Sequence, residues 1–402
     1  MLFSQVDELR TRRILRVLAI VYAVLIVYGS LLPWSGWHRP LEGLFGFLRH
    51  PILVDIARKR LAENVLIYAP LGFLLAASDK RVKNAAGVLL VTAAGAALSF
   101  SMETLQQCVA ARHASSADAL ANTIGTLAGA TVALALGSHT PVGRFLARQR
   151  EQFRPGLLID SGLLAIVLWV LSQWTPLVPV LGRAGLHENF APILRALHSK
   201  HPVKLYPFAE QAFCLAGLLL LVARLRKDDR GAAWFAVFAS IVVLATPFFH
   251  RREITAEAIA ALIAVLVLSP LLLRLPLKGR LGAAMLMASF LLRQLEPRPG
   301  VRRPFTLIPF REYATLPLDS VPILLGMLWP FMAVGCIVAT STDPRLRRQI
   351  AIAGGLLVFL AVFALEWSQQ EMGWHGDLTH VLLALAGWCV PWVLPQDTAD
   401  SA

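Results

Sequence analysis

Two stretches of this chain place polar side chains at helical spacing inside sequence that is otherwise apolar. The first runs METLQQCVAARHASSADALANTIGTLAG from Met102. Glu103, Gln106 and Gln107 stand at i, i+3 and i+4, so they share one helix face. Arg112, His113 and Ser115 follow in a short polar loop, and Asp118 and Asn122 open the next apolar run. A carboxylate so placed can orient a ligand or exchange a proton. An Arg fork suits a phosphate or a carboxylate. An Asp at a helix start can cap backbone N–H groups and complements the positive dipole end. These residues therefore support two readings. One is a polar pocket in which Arg112 binds an anion beside Glu103 and Asp118. The other is a set of helix caps neutralised by Arg112.

The second stretch runs EWSQQEMGWHGDLTH from Glu366. Glu366, Gln369 and Gln370 repeat the spacing of Glu103, Gln106 and Gln107, and Asp377 again opens an apolar run. A repeated E-x-x-Q-Q, followed both times by Asp and an apolar helix, argues against chance. Here His375, Asp377 and His380, with Glu366 and Glu371 nearby, also offer nitrogen and oxygen ligands for a divalent metal. The first stretch has only His113 in the comparable loop, so metal is the weaker alternative. The reading carries no cofactor and no catalytic residue. No G-x-S-x-G or H-E-x-x-H occurs, and no Gly-rich phosphate loop.

The elements that hold these groups follow from composition. The chain has 402 residues, of which 56% are hydrophobic and 16% charged. Soluble domains are about 45–50% apolar and about a quarter charged. The apolar residues come in blocks long enough to cross a bilayer core of about 30 Å as helices, and no strand-like alternation appears. Only helices or closed barrels satisfy the backbone in lipid. The reading is all-α: a polytopic membrane protein of about twelve transmembrane helices. They fall at 14–32, 64–77, 85–103, 118–136, 156–174, 206–223, 232–249, 254–273, 281–295, 319–339, 350–367 and 378–394. The N-terminal apolar run is too long for a signal peptide and lacks a cleavage site, so it counts as the first span.

The formal charge is +13. More than half of the Lys and Arg residues lie in short loops, where lipid head groups attract them, so nucleic acid is not the implied partner. Their distribution puts both termini in the cytoplasm. The long loops after the first, fifth and ninth helices are then external, with Pro-marked exits at Leu31–Trp34, Trp174–Pro179 and Leu307–Phe310. The first two contain amphipathic stretches, LEGLFGFLRH and FAPILRALHSKH, suited to a membrane surface. The four cysteines are scattered without C-x-x-C, which implies neither a disulfide framework nor a zinc site. The spacing of helices and loops divides the chain into three parallel four-helix repeats, 1–150, 151–275 and 276–402. In the middle one no Glu ends the third helix, and Glu253 stands near the place of Asp118 and Asp377. Gly125 and Gly129 form a G-x-x-x-G for close helix packing.

Taken together, NVLIYAPLGFLLA from Asn64, METLQQ from Met102, Arg112, and DALANTIGTLAG from Asp118 resemble the VanZ-like family. That family takes its name from a teicoplanin-resistance membrane protein. The resemblance covers 31–136. A diverged second copy at about 305–395 retains Glu366, Gln370 and Asp377, has Val381 in place of Asn122, and lacks an Arg112 counterpart. The resemblance implies a multi-pass inner-membrane protein acting at the cell envelope, with links to glycopeptide resistance or polysaccharide assembly. It defines no reaction. The leading expectation is a non-enzymatic protein that binds a lipid-linked or anionic envelope component at the outer leaflet. The binding set would be Glu103, Gln107, Arg112, Asp118 and Asn122, with Glu366, Gln370 and Asp377. Membrane lipids are the implied partners; protein partners are not specified. The alternatives are a transporter or flippase, an intramembrane enzyme on lipid-linked glycans, and a scaffold. A transporter needs polar groups at mid-membrane, and few are evident in the sequence.

Overall fold

The structure is a computed structural model that describes residues 5–40, 43–49, 58–137, 139–180, 182–198, 203–296, 304–313, 317–370 and 376–394. Among the described residues there are fourteen α-helices and no strand. In chain order they are α1 (Gln5–Leu31), α2 (Arg58–Ser78), α3 (Ala85–Gln106), α4 (Ser116–Ala135), α5 (Pro141–Glu151), α6 (Leu157–Trp174) and α7 (Arg183–Leu197). Then come α8 (Leu205–Leu225), α9 (Gly231–Ala245), α10 (Ala256–Arg274), α11 (Lys278–Leu295), α12 (Pro317–Ala339), α13 (Arg347–Gln369) and α14 (Leu378–Val393).

Each predicted span falls on one of these helices. Nine helices among the described residues are long and apolar enough to cross a membrane on those grounds alone. Three predicted spans fall short for visible reasons. The α14 helix has 16 residues. Lys278, Arg280 and Arg293 interrupt α11, and α4 carries Asp118, Asn122 and three threonines. The chain is a multi-pass helical membrane protein.

The two remaining helices are amphipathic. The basic segment around Arg144 and Arg148 is helical as α5, because Thr140 Oγ1 accepts the Gly143 N–H at 2.9 Å and Pro141 occupies the first turn. Val142, Phe145 and Leu146 are exposed on it, a pattern suited to the lipid interface. The FAPILRALHSKH stretch falls on α7 and His198, and residues 199–201 lie outside the described residues. There Asn189 Nδ2 donates to Pro247 O and Phe249 O, each at 2.8 Å. Of LEGLFGFLRH, Gly46–Arg49 form a short 3₁₀ turn; residues 41, 42 and 50 lie outside the described residues.

The chain forms two compact units, Met1–Arg150 with Phe310–Leu318, and Glu151–Pro309 with Asp319–Ala402. In the first, α2, α3 and α4 pack together with α1 against α2. The approach of α2 to α4 is backbone on backbone. A Cβ on Gly125 or Gly129 would strike the carbonyl oxygens of Val65 and Ala69, and one on Gly72 that of Thr126. Small residues at such a crossing replace hydrophobic driving force with close van der Waals contact in lipid. In the second unit α8 is central. Its residues from Cys214 to Val222 are all buried, and α6, α10 and α11 pack around it.

Candidate functional site

Glu103 sits in the last turn of α3 and is only 3% exposed. Its Oε2 accepts the Ser115 N–H at 2.8 Å. Ser115 is the N-cap of α4, and its Oγ accepts the Asp118 N–H at 3.4 Å. The cap is therefore Ser115 and not Asp118, which instead occupies the first helical turn, where a carboxylate complements the dipole. One carboxylate thus ties the end of one helix to the start of the next.

The neighbouring polar side chains serve α1. Gln106 Nε2 donates to Ser30 O at 3.0 Å. Arg112 Nε donates to Leu32 O at 2.7 Å, and its Nη2 to Gly29 O at 2.6 Å. The last carbonyls of a helix lack intrahelical partners, and cationic side chains commonly supply them. Burial pushes the Arg112 guanidinium below its ordinary value, while the Glu103 charge opposes that shift. The Nε and Nη2 donors, one of the edges with which an Arg grips a carboxylate side-on, are directed at the chain itself.

Behind this joint lies a buried polar cluster. Asn122 Nδ2 donates to Ser99 Oγ at 2.9 Å, and Thr126 Oγ1 donates to Asn122 O at 3.1 Å. Tyr68 Oη of α2 lies beside Ser99 and near Glu103. Asn122 Oδ1 and Gln107 Oε1 are buried and make no hydrogen bond. Each such atom costs about 1–3 kcal/mol, and natural proteins keep few of them. Sequence reasoning missed Tyr68 and Ser99. A signal for Ser99 was present, one helical turn before Glu103 on the same face. His113 is exposed.

The second E-x-x-Q-Q builds the same joint. Glu366 Oε2 accepts the Asp377 N–H at 3.1 Å, and Asp377 is the N-cap of α14. Asp377 Oδ1 accepts the Thr379 N–H at 2.7 Å and the Thr379 hydroxyl at 2.6 Å. Gln369 Nε2 donates to Gln294 O at 3.0 Å, near the end of α11, as Gln106 does to Ser30. Gln370 Nε2 donates to Trp367 O at 3.2 Å. By hydrogen-bond role Asp377 stands where Ser115 stands. The pairing of Asp377 with Asp118, and of Val381 with Asn122, is therefore three residues out of register. The residue at the place of Asp118 is His380, and that at the place of Asn122 is Ala384.

His380 Nδ1 lies 2.9 Å from Glu366 Oε1, inside the hydrogen-bonded joint. Gly387 meets Leu328 O as Gly125 meets Val65 O, which sets α12 in register with α2. Phe331, Val362 and Ala384 then replace Tyr68, Ser99 and Asn122, and all three are buried. Asp377 Oδ2 makes no hydrogen bond. His375 and Glu371, named for the metal alternative, lie outside the described residues. No group of three His, Cys, Asp or Glu side chains suited to a metal occurs among the described residues.

A third recurrence involves Arg252. Its Nε donates to Thr175 O at 2.6 Å and its Nη2 to Ser172 O at 3.0 Å, which repeats what Arg112 does for α1. Thr255, three residues later, caps α10 as Ser115 caps α4. Glu253 consequently matches His113 in position, and neither Asp118 nor Asp377. Trp34, Leu177 and Phe310, each directly after a proline, all have φ of 60°.

Comparison with known proteins singles out the first unit. The VanZ/LLP1 family model matches residues 16–137, which span α1 to α4 with Glu103, Arg112, Asp118 and Asn122. No curated protein and no solved structure matches the chain. The Glu103 joint and the polar cluster behind it thus lie in the segment of this multi-pass membrane protein, residues 16–137, that matches the VanZ/LLP1 family model.

Proposed function

We propose that the VanZ/LLP1 domain binds the polar head of a lipid-linked envelope component at the outer leaflet, without catalysing a reaction on it. One observation carries this reading. Asn122 Oδ1 and Gln107 Oε1 are buried without hydrogen-bond partners, and Tyr68 lies near the Glu103 carboxylate. Asn122 Oδ1 and Gln107 Oε1 are acceptors. They call for a ligand that presents hydrogen-bond donors, such as the hydroxyls of a glycan or an amine. Arg112 is a positioning residue here, because it fastens the loop to the carbonyls of α1. Asp118 lies in the first turn of α4.

The remaining architecture follows in the same proposal. Three parallel four-helix repeats sit in the inner membrane, with the basic loops and both termini in the cytoplasm. The last repeat keeps the joint as structure, with Glu366, Gln370 and Asp377 turned to internal hydrogen bonds.

The test is lipid retention. The full chain is purified in nanodiscs from native membranes, and the co-purifying lipids are identified by mass spectrometry. A glycan-bearing or amine-bearing lipid-linked species should accompany the wild type and fall at least tenfold in Asn122→Ala and Glu103→Gln. Equal retention by both variants, each folded to the wild-type extent, would overturn the reading.

A further inference from the structure

The second unit contains a cavity that the E-x-x-Q-Q joints do not explain. It encloses about 300 Å³, at the small end of ligand pockets. Its lining comes wholly from the second unit and includes Glu210 of α8, Arg252, Arg293 and Glu296 at the end of α11, and Trp329 of α12. The formal charges of these four ionisable residues cancel, so the wall suits a ligand that carries both signs and no net charge.

Three of these groups are arranged for a ligand. Arg293 lays its guanidinium against Gly326 of α12, where a Cβ would come within 2.8 Å of Nη1. Arg252 already gives Nε and Nη2 to the carbonyls of α6, which leaves Arg293 as the cation better placed to meet a ligand. Glu210 lies in the second turn of α8, beside Gln211 and Ser289 and within electrostatic reach of Arg293 and Glu296. Trp329 is 5% exposed, yet its indole Nε1 has no hydrogen-bond partner. A buried indole N–H ordinarily finds one. Charged groups on spanning helices are costly and mark ligand or ion sites by default.

The position narrows the chemistry further. Glu210 is near the N-terminus of α8, Arg293 and Glu296 are at the C-terminus of α11, and Ser172 and Gln173 close α6. The mouth is therefore at helix ends, at head-group level, and Trp329 lies deeper, beyond the third turn of α12. Leu205, Leu291, Leu295 and Ile323 are exposed on the same helices, as an acyl chain would require. We propose that this cavity takes a zwitterionic head group that joins a phosphate to an amine. The phosphate would meet Arg293 and the Trp329 N–H, and the ammonium would meet Glu210.

The same chemistry occurs in a membrane lipid and in a free phosphoester, and the experiment separates them. Native mass spectrometry on the detergent-purified full chain would follow titration with phosphatidylethanolamine, phosphatidylglycerol and free O-phosphoethanolamine. Phosphatidylethanolamine should bind at least tenfold more tightly than phosphatidylglycerol, which lacks the amine. Arg293→Gln and Glu210→Gln should each weaken it at least tenfold. Binding of the lipid alone assigns a membrane source, and binding of the free phosphoester as well assigns a soluble one. Should either variant fail to fold, Trp329→Phe, which removes the donor and keeps an aromatic ring, should still lower affinity severalfold. The proposal is overturned by equal binding of the two lipids, by binding of neither amine compound, or by variants that bind as the wild type does.

Discussion

The α3–α4 and α13–α14 hairpins share one joint and differ in what lies behind it. In both, a buried Glu accepts the N–H of the next helix's N-cap, at 2.8 Å in the first and 3.1 Å in the second. In both, a Gln three residues later holds a carbonyl near the end of another helix. Behind Glu103 stand Tyr68, Ser99 and Asn122, with hydrogen-bonding atoms left over. Behind Glu366 stand Phe331, Val362 and Ala384, and the second carboxylate oxygen faces His380. The motif itself is thus a helix clamp. The residues behind it differ: they are polar in the first hairpin and apolar in the second.

The sharpest way to break this contrast is to remove the two carboxylates. Glu366→Ala would strand His380 and the Asp377 N–H together, and should cost about 3–5 kcal/mol of stability. Glu103→Ala should cost less, about 1–3 kcal/mol, for the Ser115 N–H. Thermal unfolding in detergent checks both, and a reversed order would mean that His380 does not complete the second joint.

Next in size are the crossings of α2 with α4 and of α12 with α14. Gly125→Ala and Gly387→Ala each drive a methyl group into a facing carbonyl. Each should destabilise by about 1–3 kcal/mol. A large loss at one and none at the other, in the same unfolding assay, would deny that the two hairpins are built alike.

The smallest effect on stability is the most telling for function. The triple change Tyr68→Phe, Ser99→Val and Asn122→Ala gives the first unit the apolar backing of the second. Removing both partners of a buried polar pair is close to neutral, so stability should move by less than about 1 kcal/mol. Retention of the lipid-linked species should nevertheless be lost. A triple variant that retains it would show that the polar backing is not where the ligand binds.

The spans were legible because length and apolarity suffice to place a helix in lipid. The recurrence of Glu, Gln and Gln was legible as well, because spacing survives divergence. What residue types could not convey was the register of the second hairpin. One cap is Ser115 and the other Asp377, and the intervening loop is one residue shorter, so a shared Asp aligned the wrong positions. The role of Arg112 was hidden for another reason: its partners are backbone carbonyls of Gly29 and Leu32, which no side-chain pattern reveals. The cavity around Glu210 could have been anticipated. Glu210 and Arg293 both interrupt apolar blocks, and a charge in such a block is itself a signal.

The ties that close α1, α6 and α11 also bear on how the protein is made. Arg112 reaches back 83 residues to Gly29, Arg252 reaches 80 to Ser172, and Gln369 reaches 75 to Gln294. As the chain leaves the ribosome, the last carbonyls of α1, α6 and α11 wait unanswered until two more segments have entered the bilayer. A chain halted before then would hold a helix whose end still depends on water.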